Sequence, residues 1–312
     1  MTELKHIPVM LEECIQALNL KDGGVYFDGT LGGAGHSYRI LKGCSPTGRL
    51  IATDLDGQAI ERANNRLKEF EGRFTLINDN YKNFKKIITE LGVEEVDGIL
   101  LDFGVSSFQL DDSTRGFSYT KREAELDMRM DKNQDFTAQD IVNGYSESEL
   151  TKILFEYGEE KFSKKIAANI IKYREKERIV TCGQLNDIIA ESIPKKFQND
   201  GHPSKRTYQA IRIEVNGELD GLKDAVMEMT RSLKVGGRIV ILTFQSLEDR
   251  IVKQAFSEMA TDCLCDKSFP VCVCGHKKEI KILTKHPQIA TDKELNENSR
   301  SKSAKLRIAE KI

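Results

Sequence analysis

The sequence lacks the features that mark several large classes of protein. It has no excess charge of one sign, since 47 Lys and Arg residues oppose 49 Asp and Glu residues and the net charge is −2. Any surface for nucleic acid must therefore be local. No apolar run approaches the length of a membrane span, and the first residues contain no apolar core of a secretory signal. These absences predict a soluble cytoplasmic protein.

The chain also lacks the cysteine spacing of common zinc knuckles, which is Cys-x-x-Cys. Three of its seven cysteines are isolated and are interpreted as reduced thiols: Cys14, Cys44 and Cys182. The other four form two Cys-x-Cys pairs close to His276: Cys263, Cys265, Cys272 and Cys274. The spacing favours free thiols, and no metal is predicted, with a structural zinc ion as the alternative.

Apolar runs alternate with helix patterns over much of the chain. Five runs predict strands, at residues 25–28, 50–56, 74–79, 96–103 and 238–244. Helices are predicted around them, at residues 10–20, 58–70, 84–91, 222–233 and 247–259. Because the strand runs are continuous rather than alternating, they indicate a parallel sheet covered on both faces. The pattern predicts a doubly wound α/β fold with its ligands at the carboxyl ends of the strands.

Two parts of the chain depart from this rhythm. Residues 109–215 show repeated helix signals and no strand pattern, and capping boxes occur at residues 146–149 and 181–184. They predict an inserted helical subdomain between the two parts of the α/β domain, residues 1–108 and 216–312. Near the C-terminus, two segments alternate between apolar and polar residues, at 279–283 and 303–309. They predict a terminal pair of antiparallel edge strands.

A glycine-rich turn follows the first predicted strand and its terminal acid, Asp28. Its glycines are Gly29, Gly32, Gly33 and Gly35, and the residues after it can begin a helix. Such a turn lets main-chain N–H groups approach a ligand. A dinucleotide fingerprint would require glycine at Tyr38, and a phosphate-binding P-loop would require Gly-Lys-Ser/Thr. The remaining pattern favours S-adenosylmethionine, with an ordinary tight turn as the alternative.

Polar residues also end the later strands. Asp54, with Asp56 as the alternative, lies about twenty residues beyond the turn, where a carboxylate accepts hydrogen bonds from a ribose diol. Asn80 or Tyr81 could flank an adenine, although Tyr81 could equally be a packing residue. Asp102 ends the fourth strand.

Residues 101–112 lie where an enzyme of this fold that methylates amines would hold its target. The amino group of cytosine or adenine is a poor nucleophile, so the site must accept its N–H hydrogens and align its lone pair. Asp102 is the predicted acceptor. Ser106 and Ser107 are interpreted as turn residues, because no histidine is placed to activate them.

Basic and aromatic residues mix near the end of the predicted insert. The basic residues are Lys195, Lys196, Lys205 and Arg206. This stretch is a candidate surface for the phosphates and bases of single-stranded RNA, and a solvated helix face is the alternative. Among the histidines, His36 could contact the cofactor, whereas His6 and His202 could contact the substrate or simply be solvated.

Ordered motifs along nearly the whole chain resemble the MraW/RsmH family of methyltransferases. They include residues 28–37 (DGTLGGAGHS), 97–107 (DGILLDFGVSS), 206–216 (RTYQAIRIEVN) and 244–250 (FQSLEDR). The resemblance implies a class I methyltransferase fold. It also implies transfer of a methyl group from S-adenosylmethionine to the N4 amine of a cytidine in the decoding centre of bacterial small-subunit ribosomal RNA. An assembled or nearly assembled 30S subunit is the expected partner, and a homodimer is an option.

The resemblance also implies which residues contact the cofactor. They are Ala34, Gly35, His36, Asp54, Tyr81, Asp102 and Gln109, to which the turn adds Asp28 and Gly33. Many family members carry His where this chain has Gln245, which argues against a general base there. Two other classes stay open: an RNA-binding assembly factor with a vestigial pocket, and a methyltransferase for small molecules. Loss of the strand-end acids would favour the first, and lack of a basic insert would favour the second.

Overall fold

The computed structural model describes residues 8–198, 201–266 and 271–312. Its sheet consists of β1 (Val25–Asp28), β2 (Arg49–Asp54), β3 (Phe74–Asn78), β4 (Val96–Asp102), β5 (Leu233–Thr243), β6 (Ile280–Ile282) and β7 (Lys305–Lys311). The strand order is β3-β2-β1-β4-β5-β7-β6. β1 to β5 are parallel, and β7 is antiparallel to β5 and β6. The predicted α/β fold is therefore confirmed.

Helices connect the strands and form the insert. They are α1 (Leu11–Leu18), α2 (Gly35–Gly43), α3 (Gly57–Arg66), α4 (Phe84–Glu90), α5 (Ser107–Asp111), α6 (Ala138–Gly144), α7 (Glu147–Glu156), α8 (Ser163–Arg174), α9 (Cys182–Ser192), α10 (Lys205–Asn216), α11 (Leu222–Arg231), α12 (Ser246–Met259) and α13 (Asp292–Glu297). Among the described residues, no helix is both long enough and apolar enough to span a membrane.

The chain forms two compact units. The first comprises Met1–Gly104 and Gly221–Ile312 and contains the sheet, and the second, Val105–Asp220, contains α5 to α10. Helices cover the central strands of the sheet, and all four residues of β1 are buried. The sequence predicts residues 109–215 for the insert, so the observed unit is a few residues longer at each end.

The helical unit has an apolar core of its own, to which Leu126, Leu154, Ile170 and Ile211 contribute. Both predicted capping boxes form at the starts of α7 and α9. In the first, Ser146 Oγ accepts the N–H of Glu149 at 3.3 Å and the Glu149 carboxylate accepts the N–H of Ser146 at 2.7 Å. These local hydrogen bonds explain why the helix starts are readable from sequence.

The prediction that both C-terminal strands lie at the sheet edge is wrong for β7, which lies between β5 and β6. The alternating pattern misleads because its polar member, Arg307, is buried. Asp249 on α12 accepts hydrogen bonds from Arg307 Nε at 2.6 Å and from its Nη2 at 3.1 Å. A buried charge paired in this way can occupy an interior strand.

The fifth strand starts earlier than the predicted residues 238–244, because Gly236 and Gly237, where the sequence suggests a turn, both lie inside β5. The register of β5 shifts there, since Val96 pairs with Leu233 whereas Gly98 pairs with Arg238. A Cβ on Gly237 would lie 2.8 Å from the carbonyl oxygen of Lys234. The glycine pair therefore forms a bulge within the strand.

Candidate active site

The glycine turn connects β1 to the start of α2 and lies against neighbouring strand ends. The N–H of Gly29 donates to the carbonyl oxygen of Leu100 at 3.0 Å, and the N–H of Leu31 donates to that of Thr53 at 3.0 Å. A Cβ on Gly29 would lie 2.5 Å from a methyl of Leu101, and one on Gly35 would lie 2.2 Å from Cγ of Pro8. Only glycine fits at these two positions, so the turn is a close-fitting loop packed against its neighbours.

Asp28 stabilises this turn through two hydrogen bonds. Its Oδ1 accepts the N–H of Thr30 at 3.1 Å, and its Oδ2 accepts the hydroxyl of Ser37 at 2.6 Å. Burial nevertheless raises the pKa of Asp28 to about 6. Because both oxygens bind groups of the turn, Asp28 positions the loop, and its direct contact with a cofactor stays a prediction.

Asp54 ends β2 and faces the glycine turn. Its Oδ2 accepts the N–H of Gly32 at 2.8 Å, its Oδ1 accepts that of Asp56 at 2.9 Å, and burial raises its pKa to about 6. Asp56 instead caps α3, since its Oδ1 accepts the N–H of Gln58 at 3.0 Å. The carboxylate that borders the loop is therefore Asp54, and the alternative, Asp56, supports a helix.

Tyr81 lies beyond the end of β3, beside Phe103 at the end of β4. The two ring centroids are 5.7 Å apart, with the planes tilted by 33°. A Cβ on Gly29 would lie 2.8 Å from Cβ of Tyr81, which places the tyrosine against the turn. The neighbouring amide, Asn80, accepts the N–H of Lys82 at 3.0 Å and so caps the short turn that contains Tyr81. Tyr81 is the better candidate for a base contact.

Asp102 ends β4 with its carboxyl group only partly bonded. Its main-chain N–H donates to Thr30 Oγ1 at 2.6 Å, and its Oδ2 lies 3.8 Å from Nδ1 of His36. Its Oδ1 is buried and has no hydrogen-bond partner among the described residues. Burial, and then the charges of Asp28 and Glu248, raise the pKa of Asp102 to about 8.

His36 and the backbone of the turn complete this edge of the site. His36 is buried in the first turn of α2, and its Nε2 lies 3.1 Å from the carbonyl oxygen of Val9. Ala34 adopts a left-handed conformation with φ 55°, and the carbonyl oxygen of Gly33 accepts Arg66 Nη1 at 2.6 Å. These contacts fix the path of the chain into the helix.

Glu248 is a site residue that sequence reasoning missed. It lies at the start of α12 and is almost fully buried, with 2% of its surface exposed. Its carboxylate accepts the N–H of Phe244 at 3.1 Å, the N–H of Gln245 at 3.3 Å and Nε2 of Gln245 at 3.1 Å. An acid in the first turn of a predicted helix is the signal that could have identified it.

Gln245 presents a second unpartnered acceptor near the same edge of the sheet. Its Nε2 donates to Glu248, which fixes the orientation of the amide, and its Oε1 is buried near the first N–H groups of α12 without a well-formed hydrogen bond in the described part of the chain. β4 and β5 are neighbours, because Asp102 pairs with Leu242 and the N–H of Phe103 donates to the carbonyl oxygen of Leu242 at 3.1 Å. Two acceptor oxygens thus stand at adjacent strand ends.

The remaining predicted cofactor contact, Gln109, belongs to the helical unit. Its Oε1 accepts the N–H of Ser106 at 2.9 Å, while Ser106 Oγ accepts the N–H of Gln109 at 3.2 Å. This capping box begins α5 and gives Ser106 a structural role, as its interpretation as a turn residue suggests. The contact between Gln109 and a cofactor stays a prediction.

The predicted RNA contacts are exposed on the helical unit, namely Lys195, Lys196, Lys205 and Arg206. The first two lie in a short 3₁₀ turn, where Lys196 Nζ is 5.0 Å from the ring centroid of the half-exposed Phe197. The other two begin α10, a helix that the sequence reasoning did not predict, and Arg206 donates to the carbonyl oxygen of Glu159 at 2.8 Å.

Of the two histidines that could contact the substrate, the structure describes His202. His202 stacks on Tyr119 at 4.2 Å, and its Nδ1 accepts the N–H of Ser204 at 3.2 Å. Burial lowers the pKa of His202. This histidine therefore has a local packing role, and His6 lies outside the described residues.

Comparison with known proteins shows a match along the whole chain. The model of the MraW methylase family matches residues 3–312. A protein of Agathobacter rectalis named ribosomal RNA small subunit methyltransferase H 2 is 54% identical over 99% of this chain and 99% of its own length. Proteins named ribosomal RNA small subunit methyltransferase H are 52% identical in Clostridium botulinum strain Kyoto and 49% identical in Clostridioides difficile strain 630. Each covers 99% of this chain and 100% of its own length.

We predict that Asp54→Ala weakens binding of S-adenosylmethionine by about 1–3 kcal/mol, because a buried ribose hydroxyl would lose its acceptor. Isothermal titration calorimetry measures the affinity. The matched control is Asp56→Ala, which removes the neighbouring acid that caps α3 and should lower thermal stability with little change in affinity. Equal affinity losses in the two variants, or unchanged affinity in a folded Asp54→Ala protein, would exclude Asp54 as the ribose acceptor.

Proposed function

We propose that this chain, which belongs to the MraW methylase family and is an S-adenosylmethionine-dependent methyltransferase, methylates the N4 amine of a cytidine in the decoding centre of small-subunit ribosomal RNA. The names of its relatives support the RNA substrate. The chemistry of the strand ends supports an amine as the acceptor.

The residues around the glycine turn fit the cofactor. S-adenosylmethionine supplies an electrophilic methyl group on a positively charged sulfur. Asp54 would accept hydrogen bonds from ribose hydroxyls, the turn would offer main-chain N–H groups, and Tyr81 would cover a face of the adenine. The turn carries no lysine, in agreement with a ligand that has no phosphates.

The observation that carries the proposal is Asp102 Oδ1, a buried acceptor without a partner among the described residues, with Gln245 Oε1 beyond the end of the neighbouring strand. A buried acceptor without a partner costs about 1–3 kcal/mol, so a ligand that donates to it is favoured. A primary exocyclic amine has two N–H groups and could donate one to each oxygen. Both hydrogen bonds would draw the hydrogens aside and orient the nitrogen lone pair for attack.

Methyl transfer to nitrogen needs an acceptor for a proton as well as a position for the amine. Bound S-adenosylmethionine would supply the methyl group as its carbon–sulfur bond breaks, which would leave the target nitrogen cationic. The carboxylate of Asp102 would then accept a proton from that nitrogen. Gln245 cannot take that proton, because an amide is not a base at neutral pH, so its role is to position the amine.

Asp102 can accept a proton only when its carboxyl group is ionised, and a bound cofactor would favour that ionised state. With a pKa of about 8, the carboxyl group is mostly protonated at neutral pH in the free protein. A positive charge nearby stabilises the carboxylate and lowers its pKa. Cofactor binding would therefore switch Asp102 from a protonated acid to a proton acceptor.

Methylation of a ring carbon of cytosine, in place of its amine, would require a cysteine nucleophile that attacks the ring. The structure gives this alternative reaction no support. Cys14, whose pKa Asp102 helps to raise, is fully buried in α1. Burial is the first cause of that raised pKa, so the thiolate is disfavoured. Methylation of the exocyclic amine therefore agrees better with the site.

The helical unit would supply the contacts to RNA. Its exposed basic residues and Phe197 combine phosphate neutralisation with a ring on which a base can stack. The substrate would be an assembled or nearly assembled 30S subunit in the cytoplasm. A homodimer stays an option.

We predict that Asp102→Asn lowers the single-turnover methylation rate on the order of 10²-fold, because it removes the proton acceptor. Gln245→Met should lower the rate about tenfold, since one of two positioning hydrogen bonds is lost. The substrate is the small subunit from a strain that lacks the enzyme, with saturating labelled cofactor. Mass spectrometry of the digested RNA identifies the methylated position.

The matched control for Gln245→Met is Gln16→Met, which changes an exposed amide on α1 and should leave the rate unchanged. A product methylated on carbon or ribose would contradict the proposed reaction. A wild-type rate in Asp102→Asn would instead remove Asp102 from the chemistry, while an N4-methylated product would still support the reaction.

We predict that the double variant Lys205→Ala and Arg206→Ala weakens RNA binding and reduces the slope of log affinity against log salt by up to about two units. Cofactor affinity should not change. Lys172→Ala with Lys176→Ala is the control, because both lysines are exposed elsewhere on the helical unit. An unchanged salt slope in the first variant would identify the basic stretch as an ordinary solvated surface.

A further inference from the structure

Residues 260–279, between α12 and β6, form a long connection outside the candidate active site. Its described residues form no helix or strand. A hydrogen bond joins the two ends of the connection, since the N–H of Glu279 donates to the carbonyl oxygen of Met259 at 2.8 Å. Loops of this length without secondary structure are uncommon in compact domains and usually have a functional or structural reason.

The described part of this connection buries little apolar surface. Its large apolar side chains there face solvent, with exposures of 48% for Leu264, 71% for Val271 and 75% for Val273. A loop that buries so little apolar surface cannot offset the entropy of its own ordering. Another interaction is required if the connection is to keep one conformation.

The four paired cysteines converge in this connection, and their Sγ atoms all lie within 4.8 Å of one another. Cys272 Sγ is 3.2 Å from that of Cys263, 4.0 Å from that of Cys265 and 3.6 Å from that of Cys274. Sulfur ligands at about 2.3 Å from a tetrahedral zinc ion lie about 3.8 Å from each other. The four sulfurs thus have nearly the spacing of a tetrahedral thiolate site.

Main-chain N–H groups point at three of these sulfurs. Leu264 donates to Cys274 Sγ at 3.4 Å, Cys265 donates to Cys263 Sγ at 3.4 Å and Val273 donates to Cys265 Sγ at 3.3 Å. Such donors stabilise thiolate charge and orient metal ligands. Hydrophobic packing alone would give no reason for this arrangement.

We propose that Cys263, Cys265, Cys272 and Cys274 bind one zinc ion in a closed tetrahedral site that stabilises residues 260–279. Thiolates are soft ligands that suit zinc, and four protein ligands leave no open position for catalysis. His276 is outside the converging group of ligand atoms, and its Nε2 lies 3.0 Å from the carbonyl oxygen of Glu258. The Cys-x-Cys spacing suggests free thiols. The geometry favours a zinc site instead, because the Sγ atoms of both pairs lie close together.

The first test measures metal content. Protein purified without a polyhistidine tag should contain about one zinc ion per chain by mass spectrometry of the metal. Cys263→Ser with Cys272→Ser should lose most of it, on the order of tenfold. Cys182→Ser is the control and should keep the zinc, because this cysteine is isolated in the helical unit, where its thiol donates to the carbonyl oxygen of Gly116 at 3.6 Å.

A second measurement uses the wild-type protein, so that it does not depend on the folding of a variant. Cobalt exchanged into the site should give the absorption of a tetrahedral thiolate complex. Chelation should make trypsin cleavage at Lys277 and Lys278 on the order of tenfold faster, because the connection would lose the proposed zinc cross-link. Zinc-free protein with four reactive thiols, disulfide-bonded pairs or stoichiometric iron in place of zinc would each overturn the proposal.

Discussion

Carboxyl groups at the ends of parallel strands control the electrostatics of this active site: Asp28 is buried, and Asp54 and Asp102 are half-buried. Asp28, Asp54 and Asp102 end β1, β2 and β4, and burial raises the pKa of each. Asp28 and Asp54 accept hydrogen bonds from the glycine turn and its neighbours, which partly offset the cost of burying them. Asp102 Oδ1 has no such donor among the described residues. Its pKa is therefore the highest of the three, and ligands that bring positive charge or N–H donors are favoured beside it.

The topology of the sheet explains why these groups meet. The strand order reverses between β1 and β4, and a crevice at such a switch point is where ligands bind in open α/β sheets. Glycine at position 29 lets the turn lie against Leu101 and Tyr81. On the other side of β4, Glu248 orients the amide of Gln245. The site thus depends on contacts between segments that are far apart in sequence.

Local patterns in the sequence predict most of the fold, whereas long-range pairing limits the rest. The parallel strands, the glycine turn and both capping boxes depend on nearby residues, and their predictions are confirmed. The position of β7 depends on the pair between Arg307 and Asp249, which no local pattern contains. The pairing of Gln245 with Glu248 and the convergence of the four cysteines also depend on the folded geometry, although an acid near a helix start and the zinc alternative pointed towards them.

The central claim is that cofactor binding ionises Asp102, and proton release on binding tests it most directly. Calorimetry at pH 7 in buffers of different ionisation enthalpy counts the protons released. Because the free carboxyl group has a pKa of about 8, wild-type protein should release more protons than Asp102→Asn, by a difference approaching one. Affinity should accordingly rise with pH until about pH 8 and then level off. Equal proton release in the two proteins would contradict the account.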